Sequence, residues 1–208
     1  MSILALTSDT LTSPAAAGQI EYTSPIFAAT PIGTQRGIVP TQQYYRLDSA
    51  VVGSNVATAQ SIFGVGVTLS SSTVYAFEAV YALSKSAGTT SHSVGLGFGG
   101  TATINNIAYA GTLASNSSAF TADSTGAIGI YVQTAANTTF SNGASAAATI
   151  ARTYTIKGTI SVNVGGTFIP QYTLSAAPGG AYSTAIGSYI RIAPVGASGS
   201  NTSVGAWA

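Results

Sequence analysis

The sequence contains no cysteine, a single histidine, and only six basic and five acidic residues among 208. Without cysteine there is no disulfide framework, no thiolate metal centre and no cysteine nucleophile, and the redox compartment is left open. Charged residues make up 5% of the chain, where an average soluble protein has about 25%. The net charge is +1 and no Lys/Arg cluster exists, which argues against nucleic acid as a partner, because neutralising phosphates takes several cations in one patch. Long hydrophobic runs are missing too. Hydrophobic residues reach 46% and mean hydropathy is +0.37, yet no stretch approaches the ~18 uninterrupted apolar residues of a spanning helix. No membrane partner is expected. The amino end, "MSILALTSDT", lacks a basic leading region and a long apolar run, so no export signal is expected.

What fills the space left by charge is Ser, Thr, Asn, Gln and Gly, in runs such as "TLSSST", "ASNSSAFT" and "QTAANTTFSNGAS". A surface of hydroxyls and amides suits a protein that works in an assembly, where repeated like charges on adjacent copies would repel. A secreted or membrane-associated chain is the plain alternative. Asn-x-Ser/Thr matches at Asn116, Asn137 and Asn201 arise readily by chance in such a composition and carry no weight.

Periodicity is of the strand kind. In "RTYTIKGTISVNV", Tyr154, Ile156, Ile160, Val162 and Val164 fall on one face and polar residues on the other. In "TVYAFEAVYAL", Tyr75, Phe77, Tyr81 and Leu83 share a face, and the opposite face is also largely apolar, so this strand is expected to be covered on both sides. Shorter strands are predicted at 43–47, 65–69, 92–98, 128–133, 168–174 and 188–193, separated by turn clusters such as "KSAGTTS" and "SAAPGGAYS". The best helical candidate, 51–62, is short and has no charged i, i+4 pair. Many short strands with turn punctuation predict an all-β fold, an antiparallel β-sandwich of jelly-roll type. The first 40 residues carry Pro14, Pro25, Pro31 and Pro40, which argue against regular structure there. The expected organisation is an extended N-terminal arm over 1–40 and a β-sandwich body over 41–208.

"SVGLGFGG" places Gly95, Gly97 and Gly100 in a G-x-G-x-x-G match. The dinucleotide fingerprint needs a strand before the glycines and a helix after them. Here the glycines sit within an alternating strand and are followed by "TATINNIAYAG", which is β-branched and turn-rich. The glycines are therefore read as side-chain-free positions that let a neighbouring backbone or subunit come close. His92 would need a nucleophile and an orienting acid, with Asp123 as a candidate, but no G-x-S-x-G elbow is present. Glycan hydrolysis would need a carboxylate pair across a cleft; Glu78 and Asp123 have no acidic neighbours, and Glu78 is expected to pair with Lys157 or Arg46. One histidine and scattered carboxylates do not make a metal centre. No catalytic, cofactor or metal residue is assigned. Of the aromatic residues, Tyr44, Tyr45, Tyr109, Tyr131, Tyr182 and Trp207 include several that alternation leaves outside the core; Tyr and Trp favour interfaces and sugar contacts alike, and most of the six are read as core or subunit contacts.

The segments "LTSPAAAGQIEY", "GTQRGIVP", "GVGVTLSSSTVYAFEAVYALSKSAGTTSHSVGLGFGGTATINNIAY" and "GGTFIPQYTLSAAPGGAYSTAIGSYIRIAPVGASGSNTSVGAWA" together resemble a family of virion proteins of tailed bacteriophages. The resemblance covers most of the chain apart from 111–151. It implies the carboxy-terminal β module of fibre-like or decorating proteins, a structural or attachment role on the particle exterior, a homotrimer, and other virion proteins as partners, with no catalytic motif and no cofactor. Little precedes the arm, which favours a small accessory protein over a full-length fibre. The expectation is a capsid decoration (cement) protein, anchored through Ile3, Leu4, Leu6 and Leu11 of the arm. Tyr44, Tyr45, Tyr131 and Trp207 would serve as subunit or receptor contacts. The alternative is a tail- or head-fibre tip that binds a host receptor through loops at 114–122 and 134–147.

Overall fold

A computed structural model describes residues 6–12, 14–115, 129–133, 144–199, 201, 203 and 204. These residues form fifteen strands, every paired neighbour runs antiparallel, and no helix occurs among them. The first three strands, β1 (Ile20–Thr23), β2 (Ile26–Ile32) and β3 (Gln35–Val39), make a sheet of their own. This corrects the expectation that the chain is irregular through residue 40. The prolines sit where a strand tolerates them: Pro25 in the β1–β2 turn, Pro31 beside a register shift near the end of β2, and Pro40 just past β3. Residues 6–12 are irregular and are tied to this sheet around Glu21. The Thr12 hydroxyl and amide donate to one carboxylate oxygen at 2.6 and 2.8 Å, and Arg36 donates to the other at 2.8 Å. These bonds, Thr12's foremost, hold the Glu21 carboxyl below its usual range.

The remaining strands are β4 (Gln43–Arg46), β5 (Val51–Val52), β6 (Gln60–Ser61), β7 (Val67–Leu69), β8 (Thr73–Lys85), β9 (Val94–Gly99) and β10 (Thr103–Ser115), followed by β11 (Gly129–Gln133), β12 (Ile150–Val164), β13 (Gly166–Leu174), β14 (Ser183–Thr184) and β15 (Tyr189–Ala197). They build two sheets. The larger runs β11-β10-β12-β8, after which the far edge of β8 is shared by β15, which carries β4, and by β14, which carries β5. In the smaller sheet β9 pairs one stretch of β13, and β6 and β7 also pair with β13.

Alternation decides which side chains meet between the sheets. Every odd residue of β8 from Thr73 to Lys85 is buried and every even one is half-buried. On β12, Tyr154, Ile156, Ile160 and Val162 are buried as the period requires, whereas Val164, at the strand end, is 54% exposed. The core centres on aromatic packing: within the smaller sheet Phe98 stacks on Phe168 at 4.8 Å, and across to the larger sheet it meets Phe77 and Tyr109 edge-on at 5.6 and 5.4 Å. Truncating one such ring to alanine costs about 3–5 kcal/mol in a typical core. The fold is an antiparallel β-sandwich.

Two stretches have local explanations. Residues 51–62 hold no helix: both ends are recruited as the short strands β5 and β6, and an isolated helix this short has little stability of its own. The 13-residue β10 is not evident from "TATINNIAYAG", because its asparagine pair reads as a turn. In the structure that pair sits at a register shift between Ile104 and Asn106, with Asn105 donating to Ser161 Oγ at 3.3 Å.

Candidate functional site

The glycine stretch is strand and turn. Gly95 and Gly97 lie in β9 opposite Thr173 and Gln171, and the Gln171 side chain lies 2.5 Å from where a Cβ on Gly99 would stand. Gly100 has φ +113°, and a Cβ there would collide with the Thr167 carbonyl. The next element along the chain is the strand β10 rather than a helix N-terminus, so no phosphate cradle forms.

His92 is fully buried. Its Nδ1 lies 2.7 Å from the Thr90 carbonyl and its Nε2 lies 2.7 Å from the Tyr182 hydroxyl. A carbonyl can only accept, so Nδ1 carries the proton and Nε2 accepts from Tyr182. The backbone at His92 bridges to Ser145. Both ring nitrogens are engaged in packing the strand end, and Asp123 lies outside the described residues. Among the described residues no three His, Asp or Glu lie close enough to share a metal ion.

Glu78 faces away from the core, on the outer side of the larger sheet. Its carboxylate accepts from Lys157 and Arg191 at 3.0 Å each, and from the Tyr189 hydroxyl at 3.0 Å. Hydrogen bonds from Lys157 and then Arg191 pull its pKa down to about 2. The Lys157 pairing fits one of the two expected partners. Arg46 instead pairs with Asp48. Tyr189 stacks on Tyr44 at 5.6 Å, which extends the charged group into an aromatic one.

Tyr44 and Tyr45 stand on β4, a strand paired only with β15 among the described strands and exposed at all four residues. Register with β15 sends them opposite ways. Tyr44, opposite Arg191, lies on the outer face, and Tyr45, opposite Ile190, lies at the seam of the sandwich and meets Phe63 edge-on at 6.3 Å. A hollow lies on each side of this edge. One of about 300 Å³ is lined by Tyr44, Tyr45, Phe63, Val65, Pro170 and Ile190 among others. One of about 370 Å³ is lined by Pro40, Gln42, Glu78, Lys157 and Arg191 among others.

The other expected contacts scatter. Tyr109 and Tyr182 are buried in the core, the first of the two places, core or subunit contact, expected for most of these aromatics. Tyr131 lies on β11 opposite Tyr109. Ile3, Leu4 and Trp207 lie outside the described residues, as do 116–122 and 134–143 of the two loops. Leu6 is 40% exposed and Leu11 half-buried. Tyr189 and Arg191 were missed in the sequence, although alternation in "YIRIA" sets both on the face opposite Ile190 and Ile192. Lys85 and Arg152, both buried, were also missed, although each shares parity with the inward tyrosines of its strand.

The arrangement defines an all-β sandwich with a polar-aromatic edge. No family model, curated protein or solved structure matches the chain.

Proposed function

We propose that this chain is a non-enzymatic structural protein of a bacteriophage particle, a decoration protein seated on the outside of the shell as a homotrimer and held by other virion proteins. The observation that carries the reading is the open edge at β4. A solvated strand that pairs on one side only among the described residues and carries two exposed tyrosines is a template for pairing, an edge of the kind that folded proteins otherwise blunt or cover. The scarcity of charge and the resemblance of most of the sequence to phage virion proteins support the same assignment. Jelly-roll wiring of the sandwich belongs to this proposal. The amino-terminal sheet supplies a second contact, with Ile20 and Val39 exposed at 68% and 41% beside the Leu6 and Leu11 segment.

A fibre tip that binds a cell-surface receptor is the second reading. It is favoured by the outer-face group of Tyr44, Tyr189, Arg191, Lys157 and Glu78, since stacked tyrosines beside paired charges suit polar ligands. Cryo-electron microscopy of intact particles tests both. Density for the sandwich at regular sites over the head supports decoration. Density at the ends of tail appendages moves the assignment to receptor binding, and its absence from particles overturns both.

A further inference from the structure

Six buried side-chain polar atoms among the described residues have no hydrogen-bond partner, and five of them lie in the sandwich core: Arg152 Nη1, Tyr81 Oη, Tyr154 Oη, Tyr172 Oη and Thr184 Oγ1. Register places four of these on adjoining rows of one face. Tyr154 lies opposite Tyr81, and Arg152 lies opposite Leu83, which in turn lies opposite Thr184. Directly opposite side chains stand about 5 Å apart and diagonal ones about 7–8 Å, within reach of long side chains. The Tyr81 and Tyr154 rings stack at 5.4 Å, and the Arg152 guanidinium lies against the Tyr154 hydroxyl, where it acts to lower that group's pKa against the larger effect of burial.

The chemistry of this group is one-sided. Arg152 is 5% exposed and carries a permanent charge. Burial raises the tyrosine pKa values, Tyr81 well above the usual range, so the hydroxyls keep their protons and can donate. Among the carboxylates of the described residues, Glu21, Asp48 and Glu78 pair with other cations and Asp9 is exposed in the amino-terminal segment, while Asp123 lies outside those residues. Nearby Lys85 adds a second buried cation, satisfied by the carbonyls of Ala87, Gly88, Ala147 and Ala148 at 2.7–3.3 Å. A buried cation without a counter-charge is costly, and water can satisfy its donors but cannot offset its charge.

We infer that this end of the core binds a small monovalent anion, a halide by its chemistry, between the Arg152 guanidinium and the hydroxyls of Tyr154, Tyr81 and Thr184. Each lining atom is closed to solvent, which favours a monatomic anion over phosphate or sulfate. The site is independent of where the protein sits on a particle.

The test uses the full chain and chloride as the probe. Thermal unfolding is followed as chloride replaces gluconate at constant ionic strength. For a chain of this size the midpoint should rise by about 3–5 °C for each tenfold increase in chloride above its dissociation constant. Tyr154→Phe removes one donor while keeping the ring, and Thr184→Val does the same on β14. Both variants should fold and lose most of the chloride response. Crystals soaked in bromide should give an anomalous peak within hydrogen-bonding distance of Arg152 Nη1. A native response equal to that of the two variants, or none at all, overturns the inference, as does a bromide peak without any effect in solution. If Asp123→Asn lowers the midpoint in a protein blind to chloride, a carboxylate of this chain holds the guanidinium instead, and the halide site is likewise overturned.

Discussion

The two faces of the larger sheet treat positive charge in opposite ways. On the outer face, Lys157 and Arg191 are 67% and 44% exposed at their side chains and converge on the Glu78 carboxylate. On the inner face of the same strands, β8 and β12, Lys85 and Arg152 are buried, and neither is paired with a carboxylate among the described residues. Water screens the outer group, so its geometry contributes little to stability. Carbonyl dipoles replace a counter-ion around Lys85, so its four contacts hold the turn after β8 against the segment entering β12. Burial and the Arg152 charge push the Lys85 pKa down, as desolvation of a cation requires. Few charges are present in this chain, and where they lie decides their worth more than how many partners they have.

The sharpest way to break this contrast is Lys85→Met, which keeps most of the stem and removes the donor. Carbonyls left without a partner each cost about 1–3 kcal/mol when they stay dry, and partial rehydration at the sheet end brings the expected loss to about 3 kcal/mol by urea denaturation. A loss below about 1 kcal/mol would mean that water replaces the ammonium and that the inner cation is no better placed than the outer ones. Next in size is His92→Leu, which strands the Thr90 carbonyl and the Tyr182 hydroxyl. It should cost about 2 kcal/mol, while Tyr182→Phe, which removes only one of the two bonds, should cost about half as much. Equal losses would show that the bond to Tyr182 carries the whole effect and that the Thr90 contact adds nothing.

Glu78→Gln probes the outer group and should cost about 1 kcal/mol, because its partners are solvated. Its signature is in pH. The folded pKa of about 2 lies below the usual 4.5, so the stabilisation from Glu78 is fully present above pH 4.5 and is lost as the pH falls toward 2. Acid titration of stability should therefore be shallower for the glutamine variant across that window. Parallel curves would place the acid sensitivity elsewhere, with Glu21, whose pKa is also lowered, the next carboxylate to replace.

Much of this was legible in the chain. Period-two alternation in β8 and β12 gave the two central strands and their inward faces, because both are long enough for parity to be unambiguous. The same parity put Arg152 and Lys85 inside, but a charged residue at a core position contradicts composition rules, and only carbonyl positions from distant turns reveal how Lys85 is accommodated. The amino-terminal sheet was hidden by its prolines, since a sequence shows that a proline is present and not whether it falls at a turn, a register shift or a strand end. The edge position of β4 depends on pairing order, which alternation within one strand does not encode. Tyr44 and Tyr45 were therefore recognisable as exposed aromatics, while the opposite faces on which they lie were not.

Lys157→Ala carries the smallest expected effect and makes the comparison quantitative. Lys157 lies opposite Glu78 in the β8–β12 register, with a 3.0 Å bond to it, yet its side chain remains largely in water. Removing it should change stability by no more than about 0.5 kcal/mol at physiological salt, and by less at 1 M, where the Debye length falls to about 3 Å. Arg191 and Tyr189 still hold the carboxylate afterward, so Glu78 should remain ionised at neutral pH, and its acid titration should move upward only part of the way toward 4.5. A salt-insensitive loss as large as that of Lys85→Met would mean that the outer group is shielded in solution. That result would place a second copy of the chain, or another partner, over the face that Tyr44 and Arg191 share.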